Sequence, residues 1–323
     1  MSTVPADSAA DRTEKGTVPP WRAIHRAADA HIADFTVPFV ASVANLRRRV
    51  TLAMLEDAAT QGTLTREVAD AIDNVIIAKA ADPAELATKV YARTIVASVT
   101  DMADYVQGRW GVSAANIVGR FNITSPFVLR AARDMSANLI RGISDESKRA
   151  VRRLIFNGIR DGVAPRDTAR LLKLVLGLSE RQALAVATRR NGSVAGGVSV
   201  AQADRQARRY AERLLRDRAE NVARTETMFA SNRGQQLLWT QMRDEGVVSA
   251  EMGQRWLTTP DDRLCSRCAP MNGQVVQLGY LFRETERGVL PSEREPVAGT
   301  TVLSPPLHPR CRCVLIADIP DPD

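Results

Sequence analysis

Aromatic residues are scarce in this sequence, and long apolar runs are missing. Phe, Trp and Tyr together make up 5% of the 323 residues, whereas hydrophobic residues make up 45%. Ala, Arg, Leu and Val dominate, and this mixture favours helices over sheets while allowing a sizeable core. No apolar run reaches the roughly 18 residues that a membrane-spanning helix needs, so we expect no membrane partner.

Cysteine is also scarce, and its placement is uneven. All four cysteines lie late in the chain, as Cys265 and Cys268 in a C-x-x-C and as Cys311 and Cys313 in a C-x-C, with His308 just before the second pair. Two donor groups separated by about 40 residues form the two-plus-two arrangement of a structural zinc site. We therefore expect a structural Zn²⁺ ion.

The spacing leaves the ligand set and the chemistry open. Cys265 and Cys268 are the safer pair, while His308, Cys311 and Cys313 compete for the other two positions of a tetrahedral site. The alternatives to zinc are two disulfides or four free thiols. The sequence shows no secretory signal, which weakens the disulfide alternative and favours a reducing cytoplasm or a particle assembled there.

Histidine is rarer still, with three in the chain. His25 and His31 have no metal-binding companions at ligand spacing, so we interpret them as ordinary helix-surface residues. The shortage weighs against a zinc nuclease, which needs histidines or carboxylates beyond its ligands. A zinc deaminase is excluded because no H-x-E precedes a P-C-x-x-C.

The predicted fold is mainly α, with a multi-helix N-terminal region and a long helix followed by a small α+β, zinc-knuckle-like module. The predicted segments are a flexible tail (1–20), an N-terminal helical region (21–124), a basic helical region (125–199), the long helix (200–246) and a β-rich module (247–323). The long helix is either continuous or two helices joined near Gly234. In the module, Arg255–Thr259 and Gln274–Leu278 read as strands flanking an Asn272-Gly273 turn.

Local signals predict several helix boundaries. Pro38 is expected to interrupt or kink an early helix. A helix starting at Pro126 is expected to end at Gly142, and a further helix to begin at Ser144. Ser179 has capping-box spacing with the glutamine three residues later.

Positive charge is in excess, at a formal net charge of +7. A basic chain favours an acidic partner such as nucleic acid, and the cations cluster between Arg141 and Arg218. The predicted nucleic-acid contacts are Lys148, Arg149, Arg152, Arg153, Arg205, Arg208, Arg209 and Arg213. Because aromatics are not interleaved, such contacts would reach phosphates without sequence preference. The alternative is a solvated basic face.

A series of motifs runs through the C-terminal half. In order, they are Ala223-Arg224-Thr225-Glu226, Trp239, Asp262-Arg263-Leu264-Cys265-Ser266-Arg267-Cys268, Met271-Asn272-Gly273 and Pro306-Leu307-His308-Pro309-Arg310-Cys311-Arg312-Cys313. Over about residues 140–319 this combination resembles the phage Mu protein F-like head morphogenesis family, which comprises minor capsid proteins of tailed phages and prophages.

The resemblance implies a role in building a phage head, and we expect the chain not to be an enzyme. Members sit with the portal inside the capsid and are implicated in head assembly or the passage of DNA. The implied partners are the portal protein, capsid or scaffold proteins and packaged DNA. The implied location is the virion, with the host cytoplasm during assembly. The alternative function is a zinc-containing nucleic-acid-binding protein or nuclease.

Arg224 and Glu226 are a further candidate pair. Residues two positions apart do not face each other on a helix. Glu226 lies at the border of the apolar face of the long helix, where a partly buried carboxylate needs a hydrogen-bond or ionic partner. We expect both to anchor the zinc module to the long helix, through its backbone or through Arg310 or Arg312. The alternative is Glu226 as a general base near the metal, which a closed four-ligand site disfavours.

Overall fold

The computed structural model describes residues 20–77, 91–97, 99–100, 121, 126–259, 264–283 and 301–318. The described helices are α1 (Pro20–Ala30), α2 (Ile32–Arg49), α3 (Leu52–Gln61), α4 (Arg66–Ile77), α5 (Pro126–Arg160), α6 (Pro165–Val175), α7 (Glu180–Ala195) and α8 (Val200–Asp244). The mainly α prediction is therefore confirmed. The predicted tail lies outside the described residues except for Pro20, and so does nearly all of the segment just before α5.

Strands occur in the C-terminal module, as predicted. They are β1 (Gly253–Leu257), β2 (Val275–Gln277), β3 (Phe282–Arg283), β4 (Thr301–Val302) and β5 (Val314–Asp318). One sheet has the order β2-β1-β5 and is antiparallel throughout, and β3 pairs with β4 in a second sheet. The turn at Gly273 has a positive φ of 79° and joins the C-x-x-C segment to β2.

The predicted interruption at Pro38 and the predicted helix end at Gly142 are wrong, whereas a kink at Pro38 stays a prediction. Helix α2 continues through Pro38, with buried apolar residues such as Phe35 and Phe39 on either side, and packing of this stripe offsets the lost hydrogen bond. Helix α5 is continuous for 35 residues across Gly142. Ser144 therefore lies inside α5 and begins no new helix, and its hydroxyl donates to Asp73.

The long helix α8 is one element of 45 residues. Gly234 does not join two helices. A Cβ atom at this position would lie 3.0 Å from both the Cα and the carbonyl oxygen of Ile95, so the missing side chain lets the helical residues 91–97 pack closely. Helix α8 ends before Gly246, whose φ is 71°.

The chain divides into two compact units, each assembled from separated segments. Unit A consists of the described residues within Met1–Ile32, Tyr91–Leu129 and Arg224–Asp323. Unit B consists of those within Ala33–Val90 and Arg130–Ala223. The predicted consecutive segments are therefore distributed over both units, and the long helix contributes to each.

Unit B has an aliphatic core. Leu46, Leu55, Ile72 and Leu172 are fully buried within it. Two basic side chains each donate hydrogen bonds to carbonyl groups at the C-terminal end of the other's helix. Arg47 of α2 donates to the carbonyls of Leu174 and Leu176 at 3.1 Å, and Lys173 of α6 donates to carbonyls at the end of α2.

The core of unit A differs from that of unit B because it is rich in aromatic and sulfur-containing side chains. Its cluster contains Trp239, Trp256, Phe282, several methionines and three of the four cysteines. Ile24 and Ala28 of α1 are buried in the same cluster. Among the residues that the structure describes, no helix is both long and apolar enough to cross a membrane.

Candidate metal centre

The first donor pair lies on the loop that follows β1. The Cys265 carbonyl accepts from the N–H groups of Cys268 at 3.1 Å and Ala269 at 3.0 Å, which closes a tight turn. A short 3₁₀ helix, Ala269–Met271, follows directly. The turn brings the two sulfurs to the same side of the loop.

The second donor group lies on a turn before β5. The Cys311 N–H donates to the His308 carbonyl at 3.1 Å, with Pro309 and Arg310 between them. Arg310 has a φ of 62°, in the left-handed region that favours glycine. Pro followed by a residue with positive φ is the pattern of a type II turn, and it places His308 and Cys311 side by side.

The five predicted donors converge. Cys265, Cys268 and His308 form one group in which the donor atoms lie within 4.8 Å of one another, and Cys268, Cys311 and Cys313 form a second. Cys268 belongs to both groups. Thr259, Leu264 and two arginines complete the lining of a cavity of about 30 Å³ that all five donors share.

The distances suit a tetrahedral ion. The Cys268 and Cys311 sulfurs lie 3.7 Å apart, close to the roughly 3.8 Å between sulfur ligands around zinc. The His308 Nε2 atom lies 3.0 Å from the Cys265 sulfur and 3.2 Å from that of Cys268. These two separations are somewhat shorter than the roughly 3.6 Å between a nitrogen and a sulfur ligand.

The tautomer of His308 also fits a metal ligand. Its Nδ1–H donates to the Pro309 carbonyl at 2.8 Å, which leaves the Nε2 lone pair facing the two sulfurs. Metal-binding histidines usually donate their other ring N–H to a carbonyl or carboxylate in this way. The donor set, its spacing and this hydrogen bond therefore fit a zinc-type ion.

The environment of Cys265 favours its deprotonated form. Burial raises the pKa of Cys265, but hydrogen bonds from the Cys268 and Arg267 backbone help to bring it below the ordinary value. The Cys268 N–H lies 3.4 Å from the Cys265 sulfur. All four cysteines are free in the structure, so the two disulfides of the alternative hypothesis are not formed.

The C-x-C segment is held by residues far away in sequence. The Arg312 carbonyl, between the two cysteines, accepts from the Thr259 hydroxyl at 2.9 Å and from His25 Nε2 at 2.9 Å. The interpretation of His25 as an ordinary surface histidine is therefore wrong. His25 is half-buried and connects α1 to the loop that carries Cys311 and Cys313.

Buried amides on α8 supply further support that the sequence analysis missed. Asn232 accepts from the Leu315 N–H at 2.8 Å and donates to the Cys313 carbonyl at 3.4 Å. Gln236 donates to Gln254 at 2.8 Å and to the Leu303 carbonyl at 2.9 Å. The signal that could have revealed them is a stripe of uncharged polar residues at helical spacing, comprising Thr227, Ser231, Asn232, Gln235 and Gln236.

The predicted anchor residues lie where α8 meets this loop. Glu226 accepts a hydrogen bond from the Tyr91 hydroxyl. Burial raises the pKa of Glu226 to about 7, and the Tyr91 hydrogen bond opposes this rise. Between the two predicted residues, Thr225 accepts from the Arg310 N–H at 3.2 Å. Anchoring by Arg224 and Glu226 themselves stays a prediction.

The predicted nucleic-acid contacts lie in unit B and differ in their exposure. Lys148 pairs with Asp73 at 2.6 Å, and its side chain is only 17% exposed. Lys148 is therefore engaged within the unit, and its contact with nucleic acid stays a prediction. The other seven residues are exposed, namely Arg149, Arg152, Arg153, Arg205, Arg208, Arg209 and Arg213. Their contact with nucleic acid stays a prediction.

The fold and the cluster define a class of mainly helical proteins with a compact module after a long helix, in which a Cys/His cluster could hold a metal ion. A model of the family described as Phage Mu protein F like protein matches residues 149–316, more than half of the 323-residue chain. The chain belongs to this family. Membership confirms the resemblance and indicates a phage head morphogenesis protein located in the virion. No curated protein and no solved structure matches the chain.

Proposed function

We propose that this chain is a minor capsid protein bound to the portal inside the phage head, where it contributes to head assembly or to DNA packaging or ejection. It acts as a structural and interaction protein, not as an enzyme. The observation that carries the proposal is the family match over the same residues that contain the Cys/His cluster. Capsid or scaffold proteins and packaged DNA are further proposed partners.

We also propose that the cluster holds a structural zinc ion. Cys265, Cys268 and His308 supply three ligands, and Cys311 or Cys313 supplies the fourth. A zinc ion in such a site contributes folding free energy and performs no chemistry. The backbone N–H of Cys268 supports a thiolate at Cys265, and the Pro309 carbonyl holds the His308 ring. The C-x-C segment is held by hydrogen bonds from Thr259 and His25 to the Arg312 carbonyl and from Asn232 to the Cys313 carbonyl.

The test of the portal contact is co-sedimentation after co-expression with the portal protein, at rising salt. We expect the two proteins to stay together, because a specific interface depends less on screened charges than a nonspecific one. A matched variant, Arg149→Gln with Arg152→Gln, removes two exposed cations and should leave this complex intact. Dissociation of the wild-type complex at moderate salt contradicts the proposal.

The metal is tested separately by native mass spectrometry and metal analysis. We expect one zinc ion per chain, lost together with the folding of the module in Cys265→Ser. A module that folds fully in Cys265→Ser without metal contradicts the structural role. The portal test and the metal test can fail independently.

A second candidate function is a zinc-containing nucleic-acid-binding protein or nuclease. The seven exposed arginines among the predicted contacts support nucleic-acid binding. The raised pKa of Glu226 supports a general base. A nuclease requires divalent-dependent cleavage that Glu226→Gln abolishes without unfolding the chain. A wild-type protein that cleaves no DNA excludes it.

A further inference from the structure

A cluster on the surface of unit B combines two arginines with one aromatic ring. The guanidinium carbon of Arg189, on α7, lies 5.1 Å from the centre of the Tyr210 ring, on α8. The guanidinium carbon of Arg213, one turn further along α8, lies 5.1 Å from the same point. Both arginines are exposed, and Tyr210 is half-buried. We call these three residues the Arg–Tyr–Arg cluster. The expectation that no aromatic residue is interleaved with the cations of this region is wrong at Tyr210.

The two helices that carry the cluster are connected by hydrogen bonds before and after it. Gln182 of α7 donates to the Leu214 carbonyl of α8 at 3.0 Å. Arg190 of α7, which is buried, donates to Asp204 of α8 at 2.5 Å. Tyr210 itself packs against the aliphatic core of unit B. The ring is therefore held in place by the fold, and cation–π attraction holds a guanidinium group from each helix close to it.

The positive charge of the cluster is not neutralised within the described part of the chain. Arg160 pairs with Asp161 on the surface of the same unit, whereas Arg189 and Arg213 form no ion pair with any residue that the structure describes. Because both guanidinium carbons lie 5.1 Å from one ring centre, they are at most twice that distance apart. Two cations held this close without a counter-charge attract an anion.

Further cations continue along the same side of α8, which indicates a polyanion. Arg209 lies four residues before Arg213, Arg216 lies three residues after it, and both are exposed. Residues at these spacings lie on one side of a helix. Asp217 lowers the local charge, but it forms no ion pair with Arg213 among the described residues. Duplex DNA carries one negative charge per about 1.7 Å of its axis, so its phosphates can face several of these cations together.

We propose that the Arg–Tyr–Arg cluster binds the phosphodiester backbone of nucleic acid, with Tyr210 as a positioning residue. Arg189 and Arg213 donate to phosphate oxygens, whose geometry matches the guanidinium fork. The Tyr210 ring orders both guanidinium groups beforehand, so less side-chain freedom is lost upon binding. Such contacts do not read the base sequence. The inference rests on the nucleic-acid partner of the proposed function, and it adds Arg189 and Tyr210 to the predicted contacts.

The experiment is a titration of a short fluorescein-labelled DNA duplex with the full chain, followed by fluorescence anisotropy at several salt concentrations. We expect a Kd of about 1–100 μM at physiological salt, the range of nonspecific binding. An RNA duplex and poly-L-glutamate serve as competitors. Competition by the RNA duplex shows whether the cluster accepts both nucleic acids or prefers DNA. Equal competition by poly-L-glutamate, which carries carboxylates instead of phosphates, overturns the proposal.

The positioning role is tested without any change of charge. Tyr210→Leu keeps an apolar side chain but removes the ring, so it should weaken duplex binding about fivefold. Tyr210→Phe keeps the ring and should restore most of the affinity. Circular dichroism and thermal unfolding verify that both variants keep their helices. Wild-type affinity in a folded Tyr210→Leu variant overturns the inference.

A pair of double variants tests the arginines independently of folding at Tyr210. Arg189→Gln with Arg213→Gln removes two phosphate contacts and should lower the slope of log K against log salt by about two. Arg48→Gln with Arg133→Gln removes the same charge at exposed positions of α2 and α5 and should leave the slope unchanged.

The outcomes separate this inference from the proposed function. Equal effects of the two double variants overturn the inference but leave nucleic acid as a partner. A wild-type chain that binds neither duplex overturns both the inference and the proposed nucleic-acid partner. The portal complex and the metal content are measured separately and do not depend on either result.

Discussion

Unit B buries mostly aliphatic side chains, whereas unit A buries tryptophans, cysteines and a group of side-chain amides. An aliphatic core is stabilised mainly in proportion to the apolar area that it removes from water. The core of unit A also depends on particular hydrogen bonds and on thiols arranged for a metal. We therefore expect unit B to tolerate changes of metal and pH that disrupt unit A.

The largest expected effect comes from breaking the metal centre. Cys268 belongs to both donor groups, so Cys268→Ser or chelation should unfold the module of unit A. The loss is on the order of 10 kcal/mol if the site behaves like other structural zinc sites. All four tryptophans, Trp21, Trp110, Trp239 and Trp256, lie outside the sequence segments of unit B. Tryptophan emission should therefore shift to the red while most helical circular dichroism persists.

The control for this experiment is a truncation in the other core. Leu172→Ala in unit B should cost about 2–5 kcal/mol of unfolding free energy through the cavity it leaves. It should not change the bound metal. Tryptophan emission that stays constant upon chelation would show that the thiols do not support the core of unit A.

The next effect concerns the amide that supports the C-x-C segment. Asn232→Leu leaves the Leu315 N–H and the Cys313 carbonyl without this partner, at a cost of about 2–4 kcal/mol. Weaker positioning of Cys313 should also reduce metal affinity about tenfold. Asn232→Asp keeps the acceptor oxygen for the Leu315 N–H, so it should lose less unfolding free energy and less metal affinity than Asn232→Leu. Equal stability of wild type and Asn232→Leu in chemical unfolding would exclude this role.

A smaller effect should appear in the pH dependence of stability. The pKa of Glu226 rises from an ordinary value of 4.5 to about 7 upon burial. Between these values the folded protein keeps a proton that the unfolded chain releases, so the free energy of unfolding falls as pH rises and stays low above about pH 7. The penalty is at most about 3 kcal/mol.

Glu226→Gln should remove this penalty while still accepting from Tyr91. The variant should match the wild type near pH 4.5 and exceed its stability at pH 8. Taking the difference between the two proteins at each pH cancels the pH dependence of metal binding, which they share. Glu212→Gln, at an exposed position of the same helix, serves as the control. A difference that does not change with pH would contradict the burial of an ionisable Glu226.

The smallest effect concerns the turn between His308 and Cys311. Arg310 adopts a φ of 62°, which costs about 1 kcal/mol for a residue with a Cβ atom. Arg310→Gly should therefore be about 1 kcal/mol more stable than Arg310→Ala, and both lack the same side-chain contacts. Thermal unfolding of the two variants measures the difference. Equal stability of the two variants would mean that the backbone at position 310 does not keep its positive φ.

The sequence predicted those parts that depend on local pattern. The spacing of the cysteines and His308 identified the donors that converge, and the Ser179 capping box is confirmed. Local signals failed at Gly142 and Ser144, because tertiary packing of a continuous apolar stripe outweighs weak capping preferences. They also gave no indication of Tyr91 at Glu226, since this contact joins residues 135 positions apart.

The link between His25 and Arg312 joins residues separated by 287 positions. A chain that emerges from the ribosome from its N-terminus has all the described segments of unit B available once residue 223 is out. Unit A cannot close until residues near 312 follow. During synthesis, α1 therefore exposes Ile24 and Ala28 until the loop with Cys311 and Cys313 has followed, so unit A closes later than unit B is able to.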